Sequence, residues 1–131
     1  MNDILITMAG NLVDDPELRY TPGGTAVANF RLAATPRRES NGRWIDAADT
    51  VYLDIVAWAT LGENVAESLT KGDRVVVSGR FRQRGYEKDG ERRTAYEVHA
   101  DEVCPSLRMA TATVAKTTRA DAAPPAEAPA A

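Results

Sequence analysis

Apolar side chains recur at every second position through most of this chain, the period of a strand that turns one face inward. Residues 4–12 give a first strand, stopped by Asp15 and Pro16, which disfavour a continued ladder. Residues 26–35 give a second, with Ala28, Phe30, Leu32 and Ala34 on the core face and Asn29, Arg31 and Thr35 on the other. A third, residues 50–59, turns Val51, Leu53, Ile55 and Ala57 inward and Tyr52, Asp54, Val56 and Trp58 outward. The period changes once: Leu61, Val65 and Leu69 stand at helical spacing, with Gly72 just past the end, so residues 61–69 read as a short amphipathic helix. Residues 75–83 and 93–103 supply the fourth and fifth strands.

The breaks between these stretches carry turn chemistry. Thr21-Pro22-Gly23-Gly24 is a turn, and Asn41-Gly42 and Asp89-Gly90 are tight hairpin signals, because both residues of each pair accept positive φ at little cost. Residues 36–48 are polar and read as an extended hairpin tip. Five strands with a helix between the third and fourth predict an all-β chain, a five-stranded Greek-key barrel of the oligonucleotide/oligosaccharide-binding (OB) type. One domain, residues 1–109, is expected. Residues 110–131 are rich in Ala, Pro and Thr, too poor in large apolar groups to offset the entropy of ordering, and are expected to be a disordered tail.

Charge sharpens the picture. The chain carries 16 Lys and Arg against 19 Asp and Glu, a net −3, yet the stretch 19–43 holds five arginines (Arg19, Arg31, Arg37, Arg38, Arg43) against Glu39 alone. Arg80, Arg82 and Arg84 follow at every second position behind Val75-Val76-Val77, with Tyr86 next. One strand face would therefore carry three guanidinium groups and a phenol, a groove for a polyanion with bases to stack. Tyr52 and Trp58 share an outer face by the same spacing.

Other chemistries find little support. One cysteine, Cys104, cannot form an internal disulfide and reads as a small hydrophobe, and one histidine, His99, reads as an ordinary strand residue. With so few soft ligands no metal site or cofactor is expected, and no catalytic residue: Asp14, Asp15 and Glu17 fall in a turn, and the histidine has no evident nucleophile beside it. No apolar run approaches the roughly 20 residues of a membrane span, and the start Met1-Asn2-Asp3 lacks a signal-peptide pattern, so a cytoplasmic, nucleoid-associated protein without membrane contact is expected.

The residues resemble the bacterial single-stranded-DNA-binding protein family across about residues 2–109. The matching pieces are Gly10-Asn11-Leu12, Asp15-Pro16-Glu17 with Arg19, Tyr20, Pro22 and Gly24, then Ala28-Asn29-Phe30, Lys71-Gly72 after the helix, and Val77-Ser78-Gly79. The stretches Glu63 to Leu69 and Pro105-Ser106-Leu107-Arg108 are similar to actinobacterial members. The resemblance implies a homotetramer around which single-stranded DNA wraps without sequence preference during replication, recombination and repair. It places stacking on Tyr52, Trp58 and Tyr86 and phosphate contacts on Lys71, Arg82 and Arg84. With the basic stretches, the candidate site is Arg31, Arg37, Arg38, Trp44, Tyr52, Trp58, Lys71, Arg80, Arg82, Arg84 and Tyr86.

This chain departs from the family pattern at three places. Arg38 stands where some relatives carry a hairpin tryptophan, with Trp44 further along; Asp54 stands where relatives often place a base, and would repel phosphate unless an arginine such as Arg31 or Arg82 pairs with it. The usual acidic C-terminal tip is missing, so recruitment of replication and repair proteins through it is not expected, and a specialised paralogue is favoured. An RNA-binding OB module would use the same rings and charges and stays open.

Overall fold

The period-two stretches become strands because alternation lets each bury one side and wet the other. The computed structural model describes residues 2 to 117. Within them run β1 (Ile4–Leu12), β2 (Glu17–Tyr20), β3 (Ala26–Ala34), β4 (Arg37–Ser40), β5 (Arg43–Asp46), β6 (Val51–Trp58), α1 (Ala59–Ser68), β7 (Arg74–Lys88) and β8 (Glu91–Pro105). Five strands close into a ring, β1-β7-β8-β6-β3, sealed where Asn11 and Leu12 of β1 meet Ala33 and Leu32 of β3. Only β6 and β8 pair in parallel; the other ring contacts are antiparallel. The expected OB barrel is the fold of this chain.

Its interior is aliphatic. Leu32, Ile55, Val75, Val77 and Val98 have essentially no solvent exposure, and each such side chain contributes about 1.5–3 kcal/mol relative to an exposed one. Val65 of α1 and Leu69, which caps its end, join the same core. The helix begins directly at Trp58, its N-cap, and Ala59 takes the left-handed φ of 57° that turns the chain out of β6.

Several boundaries differ from the sequence reading. β2, an additional strand paired to β3 through Glu17↔Asn29 and Tyr20↔Ala26, lies where only a turn was expected; its alternation, Leu18 and Tyr20 between Glu17 and Arg19, is only four residues long and stays exposed, too short to stand out from the turns on either side. β7 and β8 run five and two residues further toward their hairpin than expected, to Lys88 and Glu91. Those extensions are polar on both faces and are held by backbone pairing in register to the turn, where Asp89 and Gly90 take φ of 56° and 79°. The hairpin tip of residues 36–48 is a separate two-stranded sheet, β4-β5, turned by Asn41 and Gly42 at φ 52° and 78°. Val56, expected outward, is only 5% exposed, because the outer face is itself covered there by neighbours described below. Cys104, expected as a buried hydrophobe, is exposed. Residues 111–117 are exposed and belong to no helix or strand, and the rest of the expected tail, 118–131, lies outside the described residues.

Candidate nucleic-acid interface

Residues paired across neighbouring strands point to the same side of the sheet, so the registers alone lay out the outer face of the barrel. One row crosses four strands as Arg31 (β3), Asp54 (β6), Glu97 (β8) and Arg82 (β7); the next is Asn29, Val56, His99 and Arg80. Trp58, opposite Val27, continues the face at one end of β6, and Tyr52, opposite Ala33, at the other. Arg84 and Tyr86 extend it along β7 into the long hairpin. A depression of ≈ 310 Å³ lies on this face, lined by Arg31, Arg84, Asp54, Glu97, Asn29 and the turn residues Asp14 and Asp15 among others.

The arginines of the face are held by carboxylates. Arg31 Nε donates to Asp54 Oδ1 at 3.0 Å, and that hydrogen bond, followed by the charge of Asp54, raises the Arg31 guanidinium above its ordinary pKa. Arg84 Nε lies 3.5 Å from Glu97 Oε1, Arg82 Nη2 3.4 Å from Asp3 Oδ1, and Arg80 Nη2 3.5 Å from Asp101 Oδ1. The Arg31–Asp54 pair is about half exposed on both sides, and an exposed pair is worth at most about 1 kcal/mol, so a phosphate can take the place of that carboxylate. Exposure ranks the candidates: the side chain of Arg80 is 16% exposed, Arg82 31% and Arg84 57%. Arg80 is thus the least available to a ligand.

The aromatic groups fall into an exposed and a supported set. Tyr52 is 57% exposed and Trp44, on β5, 61%. Tyr86 is partly buried and receives the Arg84 guanidinium 5.6 Å from its ring centroid, a cation–π contact that joins a charge to a ring. Trp58 is partly buried, its ring against His99 with centroids 6.3 Å apart.

The structure brings Arg31, Tyr52, Trp58, Arg80, Arg82, Arg84 and Tyr86 onto one continuous face. Arg37, Arg38 and Trp44 lie apart from it on the β4-β5 hairpin, where Arg37 donates to the Trp44 carbonyl at 3.1 Å and pairs with Asp46 at 3.5 Å. Lys71 sits in the turn after α1, its backbone N–H donating to Asp15 Oδ1 at 2.8 Å. The sequence reading missed Asp3, Glu97, His99 and Asp101 as partners in the face. His99 is no ordinary strand residue: it is 7% exposed and hydrogen-bonded through both ring nitrogens. Among the described residues no group of three or more His, Cys, Asp or Glu is placed to hold a metal ion.

A face of arginines and aromatic rings on an OB barrel agrees with what the chain is similar to. Residues 1–106 match the model of the "Single-strand binding protein family". The chain belongs to that family. A curated relative, the single-stranded DNA-binding protein of Paenarthrobacter aurescens, is 56% identical over 118 residues, which are 87% of this chain and 68% of that protein. The protein of the same name from Corynebacterium glutamicum is 53% identical over 123 residues, 91% of this chain but only 54% of its own length. Among solved structures, the small single-stranded DNA-binding protein of Streptomyces coelicolor superposes with a TM-score of 0.72 at 34% identity, over 82% of this chain and 97% of that one.

Proposed function

We propose that this protein binds single-stranded DNA on its outer barrel face, without sequence preference and without catalysis, and keeps the strand unpaired during replication, recombination and repair. The observation that carries the reading is the continuous face on which Arg31, Arg82 and Arg84 stand among Tyr52, Trp58 and Tyr86. Rings accept any base because every base has a π-face, at about 1–3 kcal/mol per stacked base, and guanidinium groups take the phosphates. The names of the relatives support single-stranded DNA as the ligand. In this reading residues 1–109 are the binding domain, the β4-β5 hairpin adds Trp44, Arg37 and Arg38 to the path, Lys71 adds a charge at its edge, and the working form is a homotetramer inside the cell. Among the described residues no helix is long and apolar enough to cross a membrane.

Titration of tryptophan fluorescence with dT and rU oligomers of equal length tests it. Saturable quenching is expected with dT, weaker with rU. Replacing Arg82 and Arg84 by Ala should lower affinity and shallow the dependence of log K on log salt by about 0.7 for each phosphate no longer neutralised. Preference for rU would favour an RNA-binding module, and an unaltered salt slope would remove the two arginines from the site.

A further inference from the structure

His99 occupies an unusual place for the chain's one histidine. It is buried on the outer face of the sheet, between Val56 and Arg80 in register, and both ring nitrogens are engaged. Trp58 Nε1–H donates to Nδ1 at 3.2 Å. An indole nitrogen only donates, so Nδ1 must be the bare acceptor and the ring proton must sit on Nε2. That nitrogen lies 3.1 Å from Glu97 Oε1 and donates to it, and Glu97 in turn faces Arg84 at 3.5 Å. A chain of polar contacts therefore runs Trp58, His99, Glu97, Arg84, from a ring to a charge on the same face.

We propose that His99 is a positioning residue for the Trp58 platform, and that its neutral Nε2–H tautomer is what holds the indole in its binding orientation. The inference rests on reading the outer face as the single-stranded DNA surface. A site is as precise as the side chains that lock it, and Trp58 has its one polar atom fixed by His99 and its ring stacked on the imidazole at an interplanar angle of 27°. A second proton would go to Nδ1 and set two donors against each other, so the indole would lose its anchor. The charged groups around that event are Glu97 beside the ring, Arg80 across from it on β7 with Asp101 bound to it, Arg82 and Arg84 around Glu97, and Asp54 opposite Glu97 on β6 with Arg31.

The test uses the full chain. Trp58 and Trp44 each give one indole N–H resonance, and Trp44→Phe serves only to assign them. The Trp58 signal of the wild type should lie downfield, as that of a hydrogen-bonded indole, should stay there in His99→Asn, whose side-chain oxygen accepts near the position of Nδ1, and should move upfield in His99→Val. At pH 8, His99→Val, which suits a strand but offers no acceptor, should bind oligo-dT about three- to tenfold more weakly with an unchanged salt slope, while His99→Asn should stay within about twofold of wild type. A Trp58 resonance unmoved in His99→Val, or equal oligo-dT affinity of wild type and His99→Val, overturns the inference. Should His99→Val fail to fold, the wild type decides alone: its Trp58 N–H, held by His99, should exchange with solvent far more slowly than that of the exposed Trp44, and equal rates overturn the inference. A wild type that binds no oligo-dT overturns the surface reading itself, an outcome distinct from a bound wild type matched by its variant.

Discussion

Asp54 is the residue at which the face argues against its own task. A carboxylate between Tyr52 and Trp58 repels phosphate, yet it holds Arg31 at 3.0 Å, and both side chains are about half exposed, at 56% and 49%. Such a pair adds little stability, at most about 1 kcal/mol, because water screens it. Its effect falls on binding, since DNA must displace the carboxylate before it can use the guanidinium. Asp54→Asn should therefore tighten oligo-dT binding by about two- to fivefold and steepen the salt slope by about 0.7, as one more phosphate is neutralised. Weaker binding by the variant would mean that Asp54 orients Arg31 for the phosphate. That Asp54's need for an arginine, Arg31 or Arg82, was legible in the sequence while the roles of His99 and Glu97 were not has a physical reason. Arg31 and Asp54 lie on antiparallel strands joined by one hairpin, whereas His99 meets Val56 and Trp58 only through the parallel β6–β8 register, which no local pattern announces.

The same division runs through the elements. Ring strands were readable wherever one side had to be apolar, as in Phe30, Ile55, Val98 and Phe81, which line up across four strands inside the barrel. The polar ends of β7 and β8 were not, because backbone pairing and the Asp89-Gly90 turn hold them without any core. Within the barrel, the β7–β8 ladder slips between Ser78 and Gly79, so that Asp101 becomes an extra residue in β8. Gly79 is the tight point of that irregularity: a Cβ there would run into the His99 carbonyl oxygen and lie 2.8 Å from Ala100 Cα. These are backbone atoms, which no rotamer change can move aside. Gly79→Ala should cost about 2 kcal/mol or more, in the range of overpacked cores, and lower the urea midpoint with the slope unchanged. A midpoint equal to wild type would show that the bulge can open at no cost.

For the molecule as a whole the unsolved element is an edge. β1 pairs with β7 from Ile4 to Asn11, but on its other side it meets β3 only at Asn11 and Leu12. Residues 4–10 therefore present one side to no neighbouring strand among the described residues, and Ile4 and Leu5 are 62% and 75% exposed. An apolar open edge is a template for another strand, and the two-fold pairing of β1 with its copy would satisfy the backbone of both at once. The proposed tetramer needs at least one such contact, and this edge is where the fold offers it. Leu5→Lys places like charges on facing copies of that strand, a device by which natural edges resist pairing. In analytical ultracentrifugation at micromolar concentration the wild type should sediment as a tetramer and Leu5→Lys as a smaller species, with an unchanged β-sheet circular dichroism signal. A monomeric wild type would refute the assembly, and a variant of undiminished size would move the interface away from β1.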